Sequence, residues 1–187
     1  MVCKVNKNHL TKSKKALFLD RDGVLINYIP YLSKPEQVNI TPGAGEALKK
    51  WQDEGYLLII ITNQSGIGRG YFSLSDVEAI HARIRKEYEQ FGVSFQDILI
   101  CPHHPSDGCK CRKPSPHLLQ EASKKHLLEI SESFFIGDAP SDIDCAIKAN
   151  CNPVLVLTGR GEATAKQLDK PIPIFDSLKD TVDLIDN

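Results

Sequence analysis

The 187-residue chain lacks any apolar run near the roughly 20 residues that cross a bilayer. Nor does an apolar stretch follow its basic start, M-V-C-K-V-N-K-N-H-L-T-K-S-K-K, as a secretory signal would require. A cytoplasmic protein with no membrane partner is expected. Charge of one sign is also missing: 23 Lys and Arg stand against 24 Asp and Glu, a formal net charge of −1. Global attraction to nucleic acid is thereby excluded, and any anion must be bound locally. No G-x-x-x-x-G-K occurs, and G-I-G-R-G at 66–70 lacks the G-x-G-x-x-G spacing of a dinucleotide site. Internal repeats, low-complexity tracts and linkers are absent. With 41% hydrophobic and 25% charged residues, the chain reads as one globular domain over 15–187, monomeric, behind an N-terminal extension over 1–14.

What is present is an alternation of two patterns. Short β-rich runs lie at 16–19, 56–61, 97–100, 133–136, 153–157 and 172–175, and helical patterns lie near 43–54, 74–91, 116–127, 140–149 and 177–186. Thr41-Pro42, Ser115-Pro116 and Ser73 with Asp76 read as helix starts. Strands joined by helices require right-handed crossovers, so a doubly wound, Rossmann-like α/β domain with a parallel sheet covered on both faces is expected. Such sheets bind ligands beyond the carboxyl ends of their strands.

Those ends carry D-R-D-G (20–23), T-N-Q-S-G (62–66), a Cys/His cluster leading to R-K-P (112–114), and G-D-A-P-S-D (137–142). Singly, each is an ordinary loop or helix entry. Together they would bring two carboxylates, a hydroxyl, a lysine and a third carboxylate around one crevice. The set resembles the haloacid dehalogenase superfamily of phosphatases from Lys15 onward. F-L-D-R-D-G, T-N-Q-S-G-I-G-R-G, C-P-H-H-P…C-K-C-R-K-P and I-G-D are similar to the D-glycero-D-manno-heptose 1,7-bisphosphate 7-phosphatase group, whose relatives include histidinol-phosphatases.

The resemblance implies an HAD-like fold and a small sugar-bisphosphate substrate. It makes Asp20 the nucleophile that forms an aspartyl-phosphate and Asp22 the acid and then base. Thr62 and Lys113 would neutralise the phosphoryl oxygens. Arg21, Asn63, Gln64, Ser65, Arg69 and Arg112 complete the expected substrate contacts. Two carboxylates facing a phosphate call for a hard divalent cation, Mg²⁺, with Asp20, the Asp22 carbonyl and Asp138 as the implied ligands. Asp142, completing G-D-x-x-x-D, is expected to support this site from outside. No insertion is large enough for a cap domain, so specificity falls to the loops 27–39 and 64–72 and the cysteine loop.

Residues 101–111 hold three of the six cysteines and two of the six histidines. In a reducing compartment such a cluster points to metal and not to a disulfide. Extended i and i+2 residues share a face, so Cys101 with His103, and Cys109 with Cys111, make two arms of a closed, structural Cys₃His zinc site. His104 remains an alternative ligand. Cys3, Cys145 and Cys151 read as inert, and His81, His117, His126 and Trp51 as surface or packing residues. His117, and the A-P-S-D after Asp138, depart from the group's usual pattern. Two other readings stay open: a histidinol-phosphate or other small phosphomonoester phosphatase, and an inactive zinc-stabilised binding module.

Overall fold

The computed structural model describes residues 13–185, and Cys3 and most of the N-terminal extension lie outside the described residues. Six strands, β1 (Lys15–Leu19), β2 (Tyr56–Asn63), β3 (Phe95–Cys101), β4 (Phe134–Gly137), β5 (Asn152–Val156) and β6 (Ile174–Phe175), form one sheet in the order β3-β2-β1-β4-β5-β6. Every neighbouring pair is parallel. The helices are α1 (Ala44–Asp53), α2 (Ser65–Gly68), α3 (Leu74–Glu89), α4 (His117–His126), α5 (Pro140–Ala149) and α6 (Gly161–Ala165). No inserted cap domain occurs among the described residues.

Strand alternation divides the core in two. Leu17 and Leu19 of β1 pack with Leu58, Trp51, Ile80, Ile84 and Tyr88 under α1 and α3. Ala16 and Phe18 face the other way, with Ile59, Ile61, Leu119, Ala122 and Ala146 under α4 and α5. Each Leu or Phe so buried contributes about 1.5–3 kcal/mol, and both faces of the sheet must be covered for the strands to stay out of water. Trp51 is fully buried, stacks edge-on against Tyr56 and Phe134, and donates its indole hydrogen to Thr181 Oγ1 at 3.1 Å.

Three local features differ from the sequence expectation. The last segment, Leu178–Leu184, is a 3₁₀ helix; its buried residues, Leu178 and Thr181, are three apart, the repeat that a 3₁₀ turn eclipses. Thr41 does not cap α1, because its hydroxyl donates to Val24 O at 2.7 Å and the helix starts beyond Gly43. The two short helices α2 and α6, of four and five residues, are too brief to show a helical period. Ser73 and Asp76 do form the reciprocal cap of α3.

The strand order reverses at β1, which lies between β2 and β4. Asp20 leaves β1 there, its amide donating to Ile136 O of β4 at 3.0 Å.

Candidate active site

Lys113 sits at the centre of the site. It is 3% exposed, and its ammonium lies 2.8 Å from Asp20 Oδ1 and 2.7 Å from Asp142 Oδ1 while donating to Ile61 O at 2.9 Å. Burial opposes its charge, but the carboxylates of Asp142 and Asp20 outweigh that, and the pKa stands above the ordinary lysine value. Asp142 is pushed up to about 6 by burial, against the pull of Lys113. Its other oxygen accepts the Ala139 amide at 3.1 Å at the start of α5. Asn63, at the end of β2, holds the lysine's backbone from both sides: Oδ1 accepts Lys113 N at 3.1 Å and Nδ2 donates to Lys113 O at 3.2 Å.

A tight turn follows Asp20, closed by Gly23 N to Ile26 O at 2.8 Å and Leu25 N to Arg21 O at 3.0 Å. Both Asp20 and Asp22 reach one cleft. Arg21 grips Asp22 with Nε on Oδ2 at 3.1 Å and Nη2 on Oδ1 at 2.9 Å. Gln64 donates to Asp22 Oδ2 at 3.0 Å and to Thr62 Oγ1 at 2.8 Å. Thr62 itself is fully buried.

Asp138 follows β4 and is buried, which pushes its carboxyl up against the hydrogen bonds of Arg160 that favour its charged form. Arg160 gives it a backbone amide at 2.8 Å on Oδ2 and Nη2 at 3.0 Å on Oδ1. Gly23 (φ +90°) and Gly159 (φ +60°) pack against the same carboxylate, where a Cβ would stand 2.4 and 2.3 Å from Oδ2. Only glycine takes both the positive φ and the close approach. Carboxylate oxygens of Asp20, Asp138 and Asp142 all lie within 4.8 Å of one another, an all-oxygen donor set suited to a hard cation.

Cys101, His103, Cys109 and Cys111 bring their ligand atoms within 4.8 Å of one another. The spacings are 3.6 Å for Cys101 Sγ to Cys109 Sγ, 3.7 Å for Cys109 Sγ to Cys111 Sγ, and 3.2 Å for His103 Nδ1 to Cys111 Sγ. Zinc–sulfur bonds of about 2.3 Å in a tetrahedron require S···S edges of about 3.8 Å, so the donor set matches zinc. His104 is elsewhere, its Nδ1 2.6 Å from Ser106 Oγ. The loop is fastened to α2: Gly68 N donates to Pro102 O at 2.9 Å and Gln64 N to Cys101 O at 2.8 Å. At Gly68 a Cβ would lie 2.3 Å from His104 N.

Above these groups opens a cleft of about 330 Å³, lined by Arg69, Arg112 and Arg160 together with Ser65 and Tyr28. Arg112 Nη1 is buried without a hydrogen-bond partner among the described residues. Tyr31 and Tyr71, from two different loops, meet edge to face with centroids 4.9 Å apart.

Arg160 was not legible as a site residue. Its approach to Asp138 depends on α6 following β5, and the only local sign was a G-R-G-E turn of the kind found in many loops. His81, expected as a surface or packing residue, is 5% exposed, and its Nε2 lies 3.5 Å from Arg21 Nη1. Its place on the buried stripe of α3, four residues after Val77, was the available signal.

A parallel sheet in this order, with a carboxylate pair at the reversal point and a buried lysine beside it, defines a haloacid-dehalogenase-type hydrolase. The family model described as "HAD-hyrolase-like" matches residues 110–181. The D-glycero-beta-D-manno-heptose-1,7-bisphosphate 7-phosphatase of Pseudomonas aeruginosa is 39% identical over 171 residues, covering 89% of this chain and 94% of the relative. The D-glycero-alpha-D-manno-heptose-1,7-bisphosphate 7-phosphatase of Photorhabdus laumondii is 39% identical over 165 residues, covering 84% and 90%. The crystal structure of the D,D-heptose 1,7-bisphosphate phosphatase from B. bronchiseptica, complexed with magnesium and phosphate, superposes with a TM-score of 0.87 at 30% identity, covering 91% of this chain and 97% of the other. The chain belongs to the D-glycero-D-manno-heptose-1,7-bisphosphate 7-phosphatase family of phosphomonoester hydrolases.

Proposed function

We propose that the protein hydrolyses the C7 phosphate of D-glycero-D-manno-heptose 1,7-bisphosphate, with Mg²⁺ and through an aspartyl-phosphate. The observation that carries this reading is the Asp20 carboxylate, facing the cleft beside Asp22 with the Lys113 ammonium 2.8 Å away. Asp20 attacks phosphorus, the bond to the sugar oxygen breaks, and Asp22 delivers its proton to that oxygen. Water then attacks the same phosphorus, gives a proton to Asp22, and the bond to Asp20 breaks. Lys113 and Thr62 balance charge on the phosphoryl oxygens throughout.

Asp20, Asp138 and the main-chain carbonyl of Asp22 would hold Mg²⁺, since carboxylate oxygens of Asp20 and Asp138 lie within 4.8 Å of each other in one all-oxygen cluster. When bound, Mg²⁺ supplies Lewis-acid polarisation of the phosphoryl group. Asp142 belongs to the same oxygen cluster but is committed to Lys113 and the Ala139 amide, so we assign it to orienting the lysine. Zn²⁺ in the Cys₃His cluster would be structural, since four protein ligands leave no open position.

A second phosphate is favoured by the cationic rim. Arg112, with a nitrogen left without a partner, and Arg69 overhang the cleft, and a guanidinium suits bidentate contact with phosphate. Losing one such contact costs about 1.5–3 kcal/mol, so Arg112→Ala should lower kcat/KM about ten- to a hundredfold on the bisphosphate and much less on histidinol phosphate. The test compares wild type and variant on both substrates. A wild type that prefers histidinol phosphate, or an equal penalty on both, overturns the bisphosphate assignment.

A further inference from the structure

Arg21 stands at the wall of the cleft and is 1% exposed. Its nitrogens are already engaged: Nε and Nη2 hold Asp22, Nη2 also donates to Gln64 Oε1 at 3.1 Å, and Nη1 faces His81 Nε2 at 3.5 Å. Burial and the Arg21 charge lower the His81 pKa to about 3. A neutral ring can turn a lone pair on Nε2 toward Arg21, which places its hydrogen on Nδ1.

The consequences reach the reacting groups. Because Gln64 Oε1 is held by an obligate donor, its amide nitrogen must face Asp22 and Thr62. Thr62 Oγ1 therefore accepts a hydrogen bond from Gln64. Asp22 Oδ2 accepts hydrogen bonds from both Arg21 Nε and Gln64 Nε2, and Arg21 Nη2 lies 2.9 Å from it as well, whereas Oδ1 meets Arg21 Nη2 alone. Oδ1 keeps a spare lone pair and is the oxygen that can carry the transferred proton. A planar fork across both oxygens also fixes the carboxylate plane.

We propose that Arg21, seated on His81 and Gln64, is a positioning residue that fixes Asp22 Oδ1 toward the leaving oxygen. This rests on the acid–base role of Asp22 proposed above. No oxidant, metal or further reactant is involved, because the frame only orients the carboxyl that exchanges the proton.

The test uses two leaving groups in pre-steady-state kinetics on the Mg²⁺-loaded protein. Nitrophenolate needs no proton to depart, so p-nitrophenyl phosphate can complete its first half-reaction without the acid, whereas an alkyl phosphate cannot. In Arg21→Lys the fork is lost and the charge kept. Its expected signature is a burst of about one nitrophenolate per enzyme followed by slow turnover, with first-turnover release from the alkyl substrate slowed about tenfold or more. His81→Leu should show the same pattern more weakly, and His81→Gln, which restores an acceptor, should recover toward wild type. Equal loss in both phases and on both substrates, or a change confined to KM, would show that Arg21 acts on substrate or fold and overturns the proposal. Should Arg21→Lys fail to fold, the His81 pair decides on the same criteria. Asp22→Asn run alongside separates the two ideas: without its burst the acid–base reading itself fails, whereas a burst there but none in the Arg21 and His81 variants sinks the positioning role alone.

Discussion

Replacing Lys113 by Met removes the one ammonium that Asp20 and Asp142 share, at 2.8 and 2.7 Å, while keeping most of the side chain's volume. Both carboxylates are almost fully buried, at 4% and 1% exposure. Removing one partner of a buried ion pair costs about 3–5 kcal/mol, because the charge left behind has neither water nor counter-ion. In a domain of this size that corresponds to a loss of about 6–20 °C in Tm. The deficit must depend on pH. Asp142 already titrates near 6 with Lys113 beside it, and without the ammonium its pKa climbs further, so a proton can replace the lost cation. A group whose folded pKa is raised stabilises the fold at low pH and loses that contribution as pH rises through the folded value. The gap between wild type and variant should therefore be widest near pH 8 and narrow toward pH 5. Lys113 itself adds no slope to the wild type there, since its raised pKa is crossed only in strong alkali. Thermal melts of both proteins at pH 5 and pH 8, without added metal, test this. A variant within 1 °C of wild type at pH 8, or a gap that widens on acidification, would refute the reasoning.

Protein purified without chelators should contain about one zinc, and Cys109→Ser should lower both metal content and Tm, because binding energy at a structural zinc is folding energy; metal analysis finding no zinc would remove the clasp. Gly68→Ala would place a methyl carbon 2.3 Å from His104 N, so it should shift the cysteine loop and α2 together and weaken substrate binding, measured as a rise in KM. Asp20→Asn should abolish phosphate release with an unchanged circular dichroism spectrum, since asparagine keeps an acceptor oxygen for Lys113 and Asp142 keeps the opposite charge; phosphate release near the wild-type rate would contradict the assignment.

The carboxyl ends of β1, β2 and β4 were legible because each apolar run stops abruptly at a polar residue, Asp20, Thr62 or Asp138, and a parallel sheet puts such residues on one edge. Cys101, His103, Cys109 and Cys111 were legible from i, i+2 spacing alone. The sequence could not show partners made by the tertiary fold. Asn63, expected among the substrate contacts, has both ends of its carboxamide on the Lys113 backbone. Asp142 was expected outside the metal site, and its ion pair with a lysine 29 positions earlier has no local pattern. Arg160 reaches Asp138 from β5's far end, and no periodicity encodes that approach. The final segment was legible as helical near 177–186, but its 3₁₀ winding, which buries Leu178 and Thr181 three positions apart, was not.

The Asn63 clamp settles which part of the chain owns the lysine. Although Lys113 ends the cysteine loop, its height above the sheet is dictated by β2, while Cys101 anchors the loop's other end in β3. Between those two anchors His103, Cys109 and Cys111 are held by the shared donor set, and the residues between these ligands can change without displacing the ammonium from Asp20. Variation there can retune which molecule is accepted while the phosphoryl-transfer machinery stays still, so a lineage built on this scaffold can diversify its substrates one loop at a time.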